Sequence, residues 1–215
     1  MTAKVNGNFD KVLRCLEDIG LLLVSGNEIP DVRRLITGKS SRGSWWSDEA
    51  AHEIFAVNEL LEDHPDVTIT KLISGKVTFV HRQLWQKLFS VATAREEWQM
   101  GGLSVPAKQM LKEIDKRGTL LTHKLPASFG PKPGETARVL ELRLLIHSEQ
   151  VHTESGSHAK LVESWDAWAR RVHFKPRELD VSRARQFFEK RLDEINKQHS
   201  GNGRLPWIPK TPKTS

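Results

Sequence analysis

Between Val67 and His81 the chain alternates β-branched or aromatic residues with polar ones, interrupted only at Ser74-Gly75. Two such runs joined by two turn residues, the second a glycine, require a β-hairpin, because the turn's twist matches that of the strands it joins. Val67, Ile69, Lys71 and Ile73 take one face of the first strand, and Thr68, Thr70 and Leu72 the other. On the return strand Val77, Phe79 and His81 alternate with Lys76, Thr78 and Val80. A lone hairpin is marginal in water, so the rest of the chain has to cover it.

Helical patterns surround it. Phe9, Val12, Leu13 and Leu16 recur at helical spacing before a stop at Gly20. The apolar run Leu21-Leu22-Leu23-Val24 fits either a short strand or a helix end. Pro30 opens a helix through Ile36 that Gly38 closes. Ser47, followed by Asp48 and Glu49, caps a third helix carrying Ile54, Val57, Asn58 and Leu61, and His64-Pro65 ends it. After the hairpin a helix follows through Leu84, Trp85, Leu88, Phe89 and Ala92. Helix, helix, helix, hairpin is the order of a winged helix-turn-helix.

The second half offers a similar series after a boundary at Met100-Gly101-Gly102. Ser104 caps a helix over Ala107, Met110, Leu111 and Ile114 that stops at Gly118, and Thr119-Leu120-Leu121-Thr122 forms a short strand. Prolines and glycines mark 126–134 as loop, and helix resumes from Thr136 to about Ile146. Val151 to Val162 fits a hairpin about Ser155-Gly156-Ser157, or a helix from about 158. The spacing of Leu161, Trp165, Trp168 and Val172 favours the helix. A last helix, from Asp180 or Ser182 to Lys197, turns Val181, Ala184, Phe188, Leu192 and Ile195 inward.

The expected fold class is α+β, predominantly helical with small β-hairpins, winged-helix-like, with one module or two in tandem. The division expected is a helical module at 1–100, a second helix and hairpin module at 101–175, a basic helix at 176–198, and a mobile tail at 199–215. Pairing Ser74-Gly75 and Trp85 with Ser155-Gly156 and Trp165 is too faint an echo to establish a repeat.

Composition narrows the function. No apolar run reaches the roughly 18 residues of a membrane span, and the first ten residues lack the apolar core of a signal peptide. Cys15 is the only cysteine, so no intramolecular disulfide forms, which suits the reducing cytoplasm. Residues 1–100 carry a net charge of −2 and residues 101–215 one of +8. A basic half favours an anionic partner, nucleic acid first, with DNA ahead of RNA. Trp85, Trp98, Trp165 and Trp168 are assigned to core packing rather than base stacking, unlike the pair Trp45-Trp46.

Three constellations stand out. The loop Lys39 to Trp46 gathers Lys39, Ser40, Arg42 and Ser44 beside Trp45, residues that contact phosphates without reading sequence. It is not a nucleotide-hydrolase phosphate loop, because Arg33 occupies the position that needs glycine five residues before Gly38. The hairpin supplies Lys71, Lys76 and Arg82 as further phosphate contacts if its tip lies along a backbone, with Arg138, Arg143, Arg183 and Arg191 as additional positive surface. Finally, His147, Glu149, His152, Glu154 and His158 fall within a dozen residues. Their spacing is not HExxH, so a zinc-protease reading has no support; His147, His152, Glu154 and His158 remain weak metal candidates, and no cofactor is expected.

The strings RGSWW and SGKVTFVHRQLW, with VHTESGSHAKLVESW further on, resemble an uncharacterised bacterial protein family. The resemblance covers most of the chain and brings no activity with it. The leading expectation is a non-enzymatic nucleic-acid-binding protein of winged-helix type. Two alternatives stay open: an enzyme acting on nucleic acid around Arg42, Trp45, Trp46 and the His147–His158 segment, or a protein-interaction module.

Overall fold

Helix α1 (Ala3–Ile19) buries Val5, Val12 and Leu16 and ends where the Gly20 N–H bonds the Leu16 carbonyl at 2.7 Å. Strand β1 (Leu21–Leu23), α2 (Val32–Thr37), α3 (Ala51–Glu62), β2 (Val67–Ile73), β3 (Lys76–His81) and α4 (Trp85–Ala92) follow. In this computed structural model β1, β3 and β2 form an antiparallel sheet in that order, with Leu21 opposite Val80 and Val80 opposite Thr68. The described residues are 3–39, 46, 48–122, 125, 127–152 and 158–209, with the side chains of 127, 151, 152, 158 and 159 outside that set. The hairpin turns where the sequence requires it. Ser74 and Gly75 have φ of 53° and 70°, the positive pair that a tight hairpin turn demands and glycine supplies without strain.

After the short α5 (Glu97–Met100) the same connectivity returns. Helix α6 (Val105–Arg117) is capped by Ser104 and ends at Gly118, whose N–H bonds the Ile114 carbonyl at 2.7 Å. Strand β4 (Thr119–Leu121), a 3-10 turn (Ala127–Phe129), α7 (Pro133–Leu142), β5 (His147–His152), β6 (His158–Glu163) and α8 (Trp165–Arg171) complete the unit. Its sheet order, β4-β6-β5, repeats that of the first. The backbone registers agree too: the His81 N–H bonds the Gly20 carbonyl, and the Ser164 N–H bonds the Gly118 carbonyl. The protein is thus α+β, with the same connectivity twice.

That register makes Thr68 of β2 the equivalent of His147 in β5, since they lie opposite Val80 and Glu163 respectively. Counting on from His81 and Ser164, Trp85 is the equivalent of Trp168, so the echo with Trp165 was one turn out of step. Equivalent residues meet: Thr68 Oγ1 is 3.1 Å from His147 Nε2, and the rings of Trp85 and Trp168 lie 5.0 Å apart. The units therefore face each other as across an approximate two-fold axis.

One apolar cluster joins them, with Trp85 and Leu88 of α4, Trp165 and Trp168 of α8, and Phe188 and Leu192 of α9 (Val181–His199). Two smaller clusters fill the individual units, one under α1 and α3, the other between α6 and α7. Two expectations need correction. Residues 158–163 are a strand, not the start of a helix, because β6 pairs with β4 on one side and β5 on the other and Ser164 caps α8 only afterwards. The segment after His199, expected to be mobile, packs as far as it is described. Leu205 and Trp207 are buried, the Asn202 and Gly203 N–H groups bond the Glu28 carbonyl, and Trp207 Nε1 donates to Glu189 at 2.7 Å.

Asp31 gives the first unit a pH dependence. It is fully buried; Oδ1 accepts from the Arg34 N–H at 3.0 Å and caps α2, while Oδ2 has no hydrogen-bond partner. Burial pushes its carboxyl up to about 6, against the Arg34 N–H and the charges of Arg34 and Arg33. An acid raised in the fold holds its proton longer there than in the unfolded chain. Its contribution is complete below the ordinary value of 3.8 and is lost as pH rises through about 6. Asp31→Asn is therefore expected to stabilise the protein at pH 8 by about 3 kcal/mol relative to its effect at pH 3.5. Urea unfolding at both pH values checks this, and an equal effect at the two would refute it.

Candidate functional site

The structure uses several of the residues expected to contact phosphate for its own packing. Lys71 lies on β2 with its side chain 19% exposed and its ammonium 3.7 Å from Glu141. Lys76 pairs with Glu28 at 2.7 Å. Arg82 pairs with Asp66 at 3.2 Å and lies over the Trp85 ring. Arg143 donates to the carbonyls of Gln99 and Gly101, and Arg191 to those of Ile19 and Asp18. Lys39 is exposed, while Ser40, Arg42, Ser44 and Trp45 lie outside the described residues, as does Glu154. Trp46 is 64% exposed against Phe55. Arg138 and Arg183 are exposed and have no ion pair among the described residues.

His147 takes a place that its neighbours in the sequence do not share. A cleft of about 590 Å³ opens between the two hairpins, bounded by the end of α3, β2, β5 and α8. At its floor His147, 3% exposed, bridges the units: Nδ1 lies 3.0 Å from Glu163 Oε1 and Nε2 3.1 Å from Thr68 Oγ1. The ionised carboxylate can only accept, so Nδ1 carries a proton and donates to Glu163, and Nε2 makes the hydrogen bond with the Thr68 hydroxyl. Glu163, 1% exposed, also accepts from Arg171, whose Nη2 is 2.6 Å away, and Arg171 reaches on to Glu149 at 2.9 Å. Burial alone would raise the Glu163 carboxyl, but hydrogen bonds from His147 and Arg171 and their charge outweigh it and hold it below the usual range.

The rim of the cleft is acidic. Glu59, Glu62, Asp63 and Glu149 face Arg82 and Arg171 across it. Burial, then the charges of Asp63, Glu149 and Glu59, raises the Glu62 carboxyl. The residues His147, Glu163, Thr68 and Arg171 are brought together; His152 and His158 lie opposite each other at the far end of the β5/β6 hairpin instead. Among the described residues no group of three or more His, Cys, Asp or Glu side chains is placed to hold a metal ion. Sequence reasoning picked out His147 but missed Thr68, Glu163 and Arg171. Only Glu163 carried a signal, as a carboxylate next to the Ser164 helix cap, and nothing linked it to His147.

No helix among the described residues is long and apolar enough to cross a membrane. No curated protein and no solved structure matches the chain. Compared with known protein families, residues 7–203 match the family described as AlkZ related. That span takes in most of both units and α9, and the chain belongs to the AlkZ-related family.

Proposed function

We propose that this protein binds DNA, holding its phosphate backbone through the second unit. AlkZ, for which the family is named, is a DNA-repair glycosylase acting on crosslinks. The observation that carries the reading is the contrast between equivalent helices. Helix α3 presents Glu53, Glu59 and Glu62 and no lysine or arginine, which argues against laying it on a polyanion. Helix α7, its counterpart, carries exposed Arg138 and begins beside exposed Lys132. The lysines at 108, 112 and 116 form an exposed stripe along the adjacent α6.

Mobility shift on duplex DNA at low salt tests this. Arg138→Ala and Lys132→Ala are each expected to weaken binding on every sequence alike and to lower the slope of log K against log salt by about one unit. Glu59→Ala on α3 is expected to leave that slope unchanged. No retention of duplex or single strand by the unaltered protein would overturn the proposal.

A second reading, an enzyme acting on nucleic acid, is favoured by the hydrogen-bonded line Thr68, His147, Glu163 at the floor of the cleft. A histidine fixed in one tautomer by a buried carboxylate is a general base in form. Base release from a crosslinked duplex above background, lost in His147→Gln, would support it.

A further inference from the structure

We propose that Lys71 is a reactive amine, and that the small groove it lines takes a short-chain aldehyde or ketone and holds it as an imine on Nζ. This goes beyond DNA binding and does not depend on it. The groove, about 190 Å³, lies between β2 and β5 on the side away from the acidic cleft's floor. Val24, Ile69, Val77 and Ile146 give it apolar walls, and Thr70 and Ser148 supply hydroxyls. That is the mixed lining a small carbonyl compound requires: a few polar groups to orient the oxygen and apolar surface for the remainder.

The charges around Lys71 are unbalanced. Glu141, 3% exposed, is the single carboxylate shared by two lysines, at 2.7 Å from Lys160 and 3.7 Å from Lys71. Its Oε2, the oxygen nearer Lys71, makes no hydrogen bond within normal reach. Burial lowers the Lys71 pKa; Glu141 works against that, and Lys160 and Arg138 lower it further, so the net direction is downward. An amine desolvated and set beside other cations is the recognised way to activate a lysine nucleophile. Glu62, whose carboxyl is raised by burial, also lines the groove at its edge.

The chemistry balances without a further reactant. The lone pair of neutral Nζ attacks the carbonyl carbon and forms the C–N bond as the C=O π bond opens. The first N–H proton passes by way of the Glu141 carboxylate to the oxygen, giving the neutral carbinolamine. Its hydroxyl takes a proton from solvent and leaves as water, and the iminium nitrogen returns its last proton to solvent through Glu141, which leaves the imine. One amine and one carbonyl compound yield one imine and one water, with no change of oxidation state.

The test uses the full chain with propanal and sodium cyanoborohydride, which reduces any imine to a stable N-propyl lysine, followed by peptide mass mapping. Lys71 is expected to be modified at least about ten-fold faster at pH 7 than exposed Lys108 and Lys112. Its rate should also level off at a lower pH than theirs. A lysine with a purely structural role would behave in the opposite way, since it is shielded and paired. Modification of Lys71 no faster than that of Lys108 and Lys112, or with the same pH profile, overturns the proposal. The measurement needs no variant, so it does not depend on a substituted chain folding. Lys71→Arg should then abolish the fast phase alone.

Discussion

Replacing Trp168 with alanine is expected to destabilise the protein by about 3–5 kcal/mol in urea unfolding, the range for emptying a fully buried aromatic site. Trp168 is 1% exposed, and its ring lies 5.0 Å from Trp85, 5.3 Å from Trp165, 5.8 Å from Phe174 and 5.9 Å from His147. The pairs with Trp85 and Trp165 are edge-on, and such pairs add about 0.5–1.5 kcal/mol each beyond area burial. Because Trp85 and Trp168 come from equivalent positions of the two units, the cavity would open at the point where the units are fastened. Loss of cooperativity, seen as a lower denaturant slope, should accompany the loss of stability. Trp46→Ala is the contrast, at within about 0.5 kcal/mol of wild type for an exposed side chain. A Trp168→Ala cost below that of Trp46→Ala would show that the aromatic cluster does not hold the units together.

Removing the Glu163 carboxylate is expected to cost roughly 1–3 kcal/mol for Glu163→Ala, because the buried His147 Nδ1–H loses its acceptor, while Arg171 keeps Glu149. His147 and Arg171 both donate to Glu163, and no other carboxylate meets His147 among the described residues. Glu163→Gln keeps the shape and one acceptor, so its cost should be smaller and should depend on pH. The carboxyl is held low in the fold. Its stabilisation is then present above the unfolded glutamate range, near about 4.3, and is lost as pH falls through the lower folded value. Glu163→Gln should thus lose its disadvantage to wild type below about pH 4. A disadvantage that stays constant from pH 7 to pH 3 would remove the linkage. Asp31 works in the other direction, since its raised carboxyl favours the fold at low pH. Asp31 and Glu163 therefore make opposing contributions to the acid limb of the stability curve, and the Asp31→Asn and Glu163→Gln variants separate them.

Much of the fold was legible because local rules decide it. The Ser74-Gly75 turn, the stops at Gly20 and Gly118, and the Ser104 cap each act within a few residues, and each lies where its sequence signal lies. Residues 158–163 were misread because Leu161, Trp165 and Trp168 keep helical spacing across a strand and the helix after it. The pull that makes the first part a strand comes from β4, some forty residues away in the chain. The tail was misread for a related reason. Its glycines are chosen for close approach to Glu28 and Ile29 rather than for freedom, and composition does not distinguish the two.

The lysines of the hairpin show how far a charge pattern can carry. Sequence identifies Lys71 and Lys76 as cations on a strand, but it does not say whether water, a partner or a carboxylate from elsewhere faces them. Glu28 and Glu141 answer for this chain, and both come from other elements. What the sequence by itself determined is the set of helices, the first hairpin and the α+β class, because periodicity and turn chemistry are short-range. Only the tertiary structure decided that the hairpin Val67–His81 meets its own counterpart. Thr68 on one edge strand and His147 on the other come together because two units of one connectivity pack face to face, and no local preference encodes a contact across that span.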